Sequence, residues 1–177
     1  MSTNNLSNIP KVTFTRLLGF IDILNHMGGK ADVAAISSKE QLELDDILPI
    51  LETGQMLALI EVKSGDVSIT QRGHSLLSAS SPRQQKIMLR QMLTNLKPFQ
   101  KLVDLIKKSR DGYITKRQLL GYYSSSHSSS DSDGGSDDND DSYYDLANNF
   151  DRIIGWGRMA LLIDYNSDNE TIRLRND

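Results

Sequence analysis

Cysteine is absent from this chain of 177 residues. The absence excludes disulfide bonds, thiolate metal sites and thiol nucleophiles together, and it fits a reducing cytoplasm. Histidine is scarce too, since His26, His74 and His127 lie far apart and lack the spacing of metal ligands. We therefore predict a protein that binds no metal and no other cofactor.

The chain also lacks long apolar runs. No stretch approaches the eighteen or so consecutive apolar residues that a membrane span needs. Residues 1–5 have neither a basic start nor an apolar core, so they do not form a secretory signal. A hydrophobic content of 38% with 24% charged residues is typical of a soluble globular protein. We expect a cytoplasmic protein without membrane insertion.

Motifs of catalysis are missing as well. The sequence contains no GxSxG, no HExxH, no glycine-rich dinucleotide loop and no GxxxxGK[ST] phosphate loop. The adjacent carboxylates Asp45 and Asp46 open a predicted helix, where acidic residues favour the helix dipole. Six aspartates between residues 124 and 142 lack the order of an EF-hand, which favours a solvated loop over a cation site. We expect a protein that is not an enzyme.

Residues 28–73 have the order of elements found in a winged helix, in which three helices are followed by a hairpin. Asp32 is the predicted N-cap of a short helix, and a longer helix is predicted from Leu44 to Leu59. The near-helical spacing of its apolar stripe is formed by Ile47, Leu48, Ile50, Leu51, Leu57 and Ile60. A turn at Ser64, Gly65 and Asp66 then separates two alternating apolar segments, which is the signal of a hairpin.

The rest of the chain repeats this order after a basic helical segment. A break is expected at Lys97-Pro98, because proline cannot donate to the preceding turn. Further helices are predicted at 71–78, at 114–123 with Thr115 starting the helix, and at 143–160. A second hairpin follows, with strands at 161–165 and 171–174.

We therefore predict a mainly α fold with small β-hairpins (α+β) and two winged-helix-like units. The predicted parts are a disordered tail (1–12), a first unit (13–80), connecting helices (81–110) and a second winged-helix-like unit (111–177) with a disordered Ser/Asp-rich insert at 124–142.

The chain resembles the AAA-associated C-terminal domain, which usually follows the ATPase of ABC importers for nitrate, sulfonate or taurine-like substrates. The resemblance runs from about Leu17 to Leu174, outside the insert. Its most specific part is a spacing carried here by Asp151, Ile154, Trp156, Gly157, Arg158, Ala160, Leu162, Tyr165, Ile172 and Leu174. Because the phosphate loop is absent, the chain is expected to be a free-standing copy of the domain or a piece of a longer protein.

DNA binding is a separate question, because the predicted recognition helix carries Asp45, Asp46 and Glu52 but no Lys or Arg. Carboxylates oppose binding to phosphates. The candidate contacts to nucleic acid are Lys63, Arg72, Arg152 and Arg158. The basic stretch 83–117, with ten Lys or Arg against two Asp, has three interpretations: a solvated face, a docking face for an acidic partner, or a nucleic-acid surface.

Trp156 and Arg158 form the candidate ligand site. The simplest interpretation of Trp156 is core packing, with Gly155 and Gly157 allowing close backbone approach. The alternative is a small-ligand pocket in which Arg158 binds an anion, by analogy with the oxyanions handled by the transporters of the family that the chain resembles. The expected function is a non-catalytic regulatory or protein-interaction module of an ABC-type transport ATPase, and the sensing of a small anion is a further expectation. The expected partner is that ATPase or a second copy of the chain, and the alternative is a winged-helix DNA-binding transcription regulator.

Overall fold

Residues 9–125 and 139–176 are described by the computed structural model. Their contacts divide the chain at Leu89: Pro10–Leu89 form the first unit, and Ile9 and the described residues beyond Leu89 form the second. Within the described residues there are eight helices and two small three-stranded antiparallel sheets. The mainly α, α+β class predicted from the sequence is confirmed.

The first unit contains a three-stranded sheet surrounded by helices. Its elements in chain order are α1 (Phe14–His26), β1 (Lys30–Asp32), α2 (Val33–Glu40), α3 (Leu44–Met56), β2 (Ile60–Lys63), β3 (Asp66–Ile69), α4 (Gln71–Leu77) and the N-terminal part of α5 (Pro82–Leu93). The strand order is β1-β3-β2, with Lys30 opposite Ser68 and Ile60 opposite Ile69.

Local chemistry sets the element boundaries of this unit. The predicted N-cap is confirmed, because the Asp32 carboxylate accepts a hydrogen bond from the Ala35 amide at 3.1 Å. The predicted hairpin turn is also confirmed. Ser64 and Gly65 both have positive φ, as a two-residue type I′ turn requires.

The core of the first unit gathers the apolar stripes of its helices and one face of its sheet. Its fully buried side chains include Leu17, Ile21, Leu24, Ile36, Ile47, Leu57, Leu59, Val67 and Leu76. Leu48 differs from the sequence expectation. It was counted in the apolar stripe of the third helix, yet 51% of it is exposed.

The second unit repeats the element order of the first. Its elements are α6 (Lys97–Lys108), β4 (Tyr113–Thr115), α7 (Lys116–Ser125), α8 (Asn139–Met159), β5 (Ile163–Asn166) and β6 (Thr171–Leu174). The strand order β4-β6-β5 reproduces β1-β3-β2, and all pairs are antiparallel. The predicted repetition of a helix followed by a hairpin is therefore present.

The repeat extends to single hydrogen bonds at the end of the third helix. After α3 the chain turns through Ala58, whose φ is 54°, and after α8 it turns through Leu161, whose φ is 55°. The next amide then donates back to a glycine carbonyl: Leu59 N to Gly54 O at 2.8 Å, and Leu162 N to Gly157 O at 2.9 Å. Gly54 and Leu48 therefore correspond in position to Gly157 and Asp151.

Several boundaries differ from the sequence prediction. The third helix ends at Met56 instead of Leu59, because Ala58 adopts the left-handed conformation. The three-residue strands β1 and β4 were not predicted. Helix α6, assigned by sequence to a connecting segment, packs against β4, β6 and α8 and is the first helix of the second unit.

The two segments predicted to be disordered lie only partly within the described residues. Of the predicted tail, residues 1–8 lie outside the described residues; in the remainder, the Lys11 amide donates to Thr53 Oγ1 at 3.0 Å. Of the predicted insert, residues 126–138 lie outside the described residues. Among the described helices, none has the length and apolar character required to cross a membrane.

Candidate functional site

Helix α3 occupies the position of the predicted recognition helix, and its exposed face is both apolar and acidic. Leu44 is 53% exposed and Leu48 is 51% exposed, one turn apart on the helix. Asp45 and Asp46 lie in the first turn, where carboxylates stabilise the helix dipole. Glu52 follows two turns later, and no Lys or Arg occurs in the helix. Such a face is poorly suited to the phosphates of DNA.

Two ion pairs connect this helix to the start of the chain. Lys11 Nζ lies 2.6 Å from Glu52 Oε2, and Arg16 Nη2 lies 2.8 Å from Asp46 Oδ1. All four side chains are about half exposed, so each pair contributes at most about 1 kcal/mol. The pairs leave Asp45 as the carboxylate of α3 that has no ion-pair partner among the described residues.

Trp156 and Arg158, the candidate ligand site, lie on different sides of α8. Trp156 is buried with 4% of its surface exposed, whereas Arg158 is exposed. Residues two apart are separated by about 200° around a helix, so the two side chains point away from each other. The structure does not bring them together.

The two glycines beside Trp156 have different surroundings. A Cβ on Gly157 would lie 2.7 Å from Ile163 Cγ1, so this glycine allows helix α8 to contact strand β5 closely. A Cβ on Gly155 would meet nothing within 4 Å. Close backbone approach, which the sequence predicts at both glycines, is therefore found at Gly157 and not at Gly155.

The candidate nucleic-acid contacts are divided between the units. In the first unit, Lys63 Nζ lies 2.8 Å from Oε1 of Glu61, two residues earlier on the same strand β2, and Arg72 is exposed at the start of α4. In the second unit, Arg152 and Arg158 are exposed on α8. These positions do not test the proposed contacts, which stay predictions.

An open groove of about 500 Å³ lies between α7 and α8 of the second unit. Its lining combines two cations and one carboxylate with apolar and small residues: Lys116, Arg117, Leu120, Gly121, Ser124, Leu146, Ala147 and Glu170. Neither Trp156 nor Arg158 lines it. We call this feature the α7/α8 groove.

Helix α7 begins with a capping box that places the two cations of the groove in its first turn. The Thr115 amide donates to Gln118 Oε1 at 2.8 Å, and the Gln118 amide donates back to Thr115 Oγ1 at 3.3 Å, which forms a capping box. Lys116 and Arg117 follow in the first turn. The helix start predicted at Thr115 is thus confirmed by its capping geometry.

Lys116 is the better-ordered cation of the groove. Its Nζ lies 4.9 Å from the centroid of the Phe150 ring and 3.9 Å from Glu170 Oε1. The side chain is only 33% exposed. Arg117 is exposed and has no ion-pair partner among the described residues. The groove can therefore offer a free guanidinium beside an ammonium that is already oriented.

The buried Tyr123 connects α7 to α6 by a hydrogen bond. The Tyr123 hydroxyl donates to the Pro98 carbonyl at 3.0 Å and thereby joins α7 to α6. Burial, and to a smaller extent the neighbouring Tyr122, raises the pKa of Tyr123 well above its usual range. The phenol stays neutral at physiological pH and has a structural role.

Sequence reasoning missed the α7/α8 groove as a site. The basic stretch 83–117 contained its two cations, but the pattern gave no reason to separate Lys116 and Arg117 from the others. The groove forms because α8 returns against α7, which is a contact between residues far apart in sequence. Within the described residues, no group of three or more His, Cys, Asp or Glu could hold a metal ion.

Comparison with known families identifies the kind of domain that these repeated helix–hairpin units form. A family model described as the C-terminal AAA-associated domain matches residues 34–166. Because the match spans more than half of the 177 residues, the chain belongs to this family. No curated protein and no solved structure matches the chain. The resemblance stated from sequence is confirmed, and the family description associates the domain with an ATPase system.

Proposed function

We propose that this protein is a non-catalytic module that docks on an ABC-type transport ATPase and regulates it in response to a small anion. The family supplies the association with an ATPase. The docking proposal rests on the α7/α8 groove, because its lining combines apolar side chains with two cations.

The chemistry of the groove defines the segment that it would accept. Leu120 and Leu146 offer apolar contacts, and Lys116 and Arg117 offer charge-assisted hydrogen bonds to a carboxylate. The fitting partner is a segment of the ATPase with an apolar side chain next to Asp or Glu. An oxyanion such as sulfate, nitrate or a sulfonate competes for the same cations, so an increase in its concentration releases the module.

Docking is tested by affinity capture from nuclease-treated native extract, with the bound proteins identified by mass spectrometry. We expect the full chain to retain an ABC-type ATPase and Arg117→Glu to lose it. Arg110→Glu is the matched control, because this substitution makes the same charge change at an exposed arginine that does not line the groove. Failure to recover any such ATPase would overturn the proposal, as would equal capture by the two variants.

Anion sensing is tested by thermal unfolding. The sodium salts of sulfate, nitrate and methanesulfonate are compared with sodium chloride at equal ionic strength, so that general salt screening is the same in every sample. A ligand that binds the native state raises the melting temperature. We expect this rise for the full chain and for Arg110→Glu, and its loss in Arg117→Glu. A melting temperature that is the same in all four salts would exclude the sensing part of the proposal.

DNA binding is the second candidate function, and one observation favours it. Arg152 and Arg158 are exposed on α8, the third helix of the second unit, and Arg side chains on a third helix are the usual readers of base edges in a winged helix. The acidic α3 of the first unit opposes it. A fluorescence-anisotropy titration with duplex DNA at low salt decides: no binding there would dismiss this alternative.

A further inference from the structure

Most of the exposed large apolar side chains of the described residues lie in the first unit. They are Leu44 and Leu48 on α3 and Ile87 on α5, with 53%, 51% and 43% of their surfaces exposed. Met159 in the second unit, at 36%, completes the set. A single exposed leucine is ordinary in a soluble protein. Two on one helix face, one turn apart, form a patch.

The internal repeat provides a control for what the fold requires at this patch. Leu48 occupies the same position on α3 that Asp151 occupies on α8, counted from the equivalent glycines Gly54 and Gly157. Asp151 is exposed in the second unit. Since an aspartate is compatible with this place in the fold, packing within the unit does not account for a leucine there.

The two apolar surfaces of the first unit carry opposite charges. Around Leu44 and Leu48 lie the carboxylates of Glu43 and Asp45, and neither makes an ion pair among the described residues. Around Ile87 lie Arg83 and Lys86, which likewise have no ion-pair partner among the described residues. Residues 82–89 contain no carboxylate.

Helix α5 is held firmly enough at its start to present this second surface. The Ser81 hydroxyl accepts from the Gln84 amide at 3.2 Å, and the Gln85 side chain donates to the Leu76 carbonyl at 3.2 Å. The second contact fastens α5 to α4 within the first unit. Ile87, Arg83 and Lys86 therefore belong to the same unit as the α3 face.

We propose that α3 of one copy of the chain packs against the N-terminal half of α5 of a second copy. Leu44 and Leu48 cover Ile87, while the carboxylates of Glu43 and Asp45 approach Arg83 and Lys86. A two-fold axis makes the pairing twice, because each copy presents both surfaces. The occupant is a second copy because the complementary apolar and basic surface is part of this chain. The pairing uses no residue of the α7/α8 groove.

The mass of the full chain in solution tests the proposal. Sedimentation equilibrium over concentrations from about 1 to 100 µM should show a monomer of 19.8 kDa converting to a species of twice that mass. Leu48→Asp, which copies the residue of the second unit, should weaken this dimer about tenfold or more. Met159→Asp is the matched control. It makes the same kind of change at an exposed apolar residue outside the pairing, and it should leave the dimer intact.

Charge exchange tests the register of the pairing. Asp45→Lys and Lys86→Glu should each weaken the dimer, and the double variant should recover much of the loss because it restores opposite charges. Circular dichroism and melting temperature establish that each variant is folded. A chain that stays monomeric throughout this range overturns the proposal, as do equal effects of Leu48→Asp and Met159→Asp. The dimer proposal would also be overturned if the chain were monomeric and its Leu48→Asp variant failed to capture the ATPase. That result would assign the α3 face to the ATPase.

Discussion

The two glycines of α8 allow a steric effect to be separated from helix propensity. Replacing either Gly155 or Gly157 by alanine removes backbone freedom from the unfolded chain and favours the helix by about 0.5 to 1 kcal/mol. At Gly155 this is the whole effect, because a Cβ there has no neighbour within 4 Å. Gly155→Ala should therefore stabilise the second unit.

Gly157→Ala has an opposing contribution. Its Cβ would lie 2.7 Å from Cγ1 and 2.8 Å from Cδ1 of Ile163, which is fully buried in β5. Overpacking of this kind costs about 1 to 3 kcal/mol. Since the propensity gain is common to both variants, Gly157→Ala should be less stable than Gly155→Ala by that same amount, about 1 to 3 kcal/mol.

The assay is urea unfolding followed by the fluorescence of Trp156, the only tryptophan of the chain, which is buried in the same unit. Linear extrapolation gives the free energy of unfolding for each variant. Gly54→Ala extends the comparison to the first unit, where a Cβ would lie 2.7 Å from Ile60. Circular dichroism, to which the helices of both units contribute, measures unfolding of that variant. If Gly157→Ala proved as stable as Gly155→Ala, the steric role given to the glycine before each hairpin would be refuted.

Three further substitutions test contacts within the individual units. Thr53→Val keeps the volume of a fully buried side chain but removes the acceptor for the Lys11 amide, and calorimetry should show a loss of about 1 to 3 kcal/mol. Asp32→Ala removes the N-cap of α2, and the free energy of unfolding measured by circular dichroism should fall by about 1 kcal/mol. The raised pKa of Tyr123 makes the stability of the native state fall with rising pH above about 10, where the unfolded phenol ionises and the folded one does not. Urea unfolding between about pH 9 and 11 should show this fall in the original chain and a shallower one in Tyr123→Phe; equal slopes would contradict the assignment.

Much of the fold could be predicted from the sequence because its signals are local. Asp32, Thr115 and the Ser64-Gly65 turn act through hydrogen bonds and dihedral angles within a few residues, and each is found where the sequence placed it. The strands β1 and β4 were missed because three residues are too few for an alternating pattern to be recognised.

The candidate site was less predictable than the fold. That Trp156 and Arg158 diverge follows from the helical repeat of 100° per residue, but which of them is buried depends on where β5 and α6 pack. Leu48 had the apolar spacing of a core residue and is half exposed, because the core side of α3 is set by contacts with α1 and β2. A periodic pattern identifies a helix face without saying what covers it.

The sequence by itself determined the family, the repeated helix–hairpin order, the acidic character of α3 and the absence of the motifs for phosphate-loop chemistry. These properties depend on residue identity and on neighbours close along the chain. Tertiary structure alone decided that α7 and α8 line a groove with Lys116 and Arg117, that the Ile163 side chain lies against Gly157 while Gly155 has open space, and that Leu44 and Leu48 face outward. Each of these depends on which distant side chain comes within a few ångströms, and that is fixed only when the apolar faces of the helices pack together.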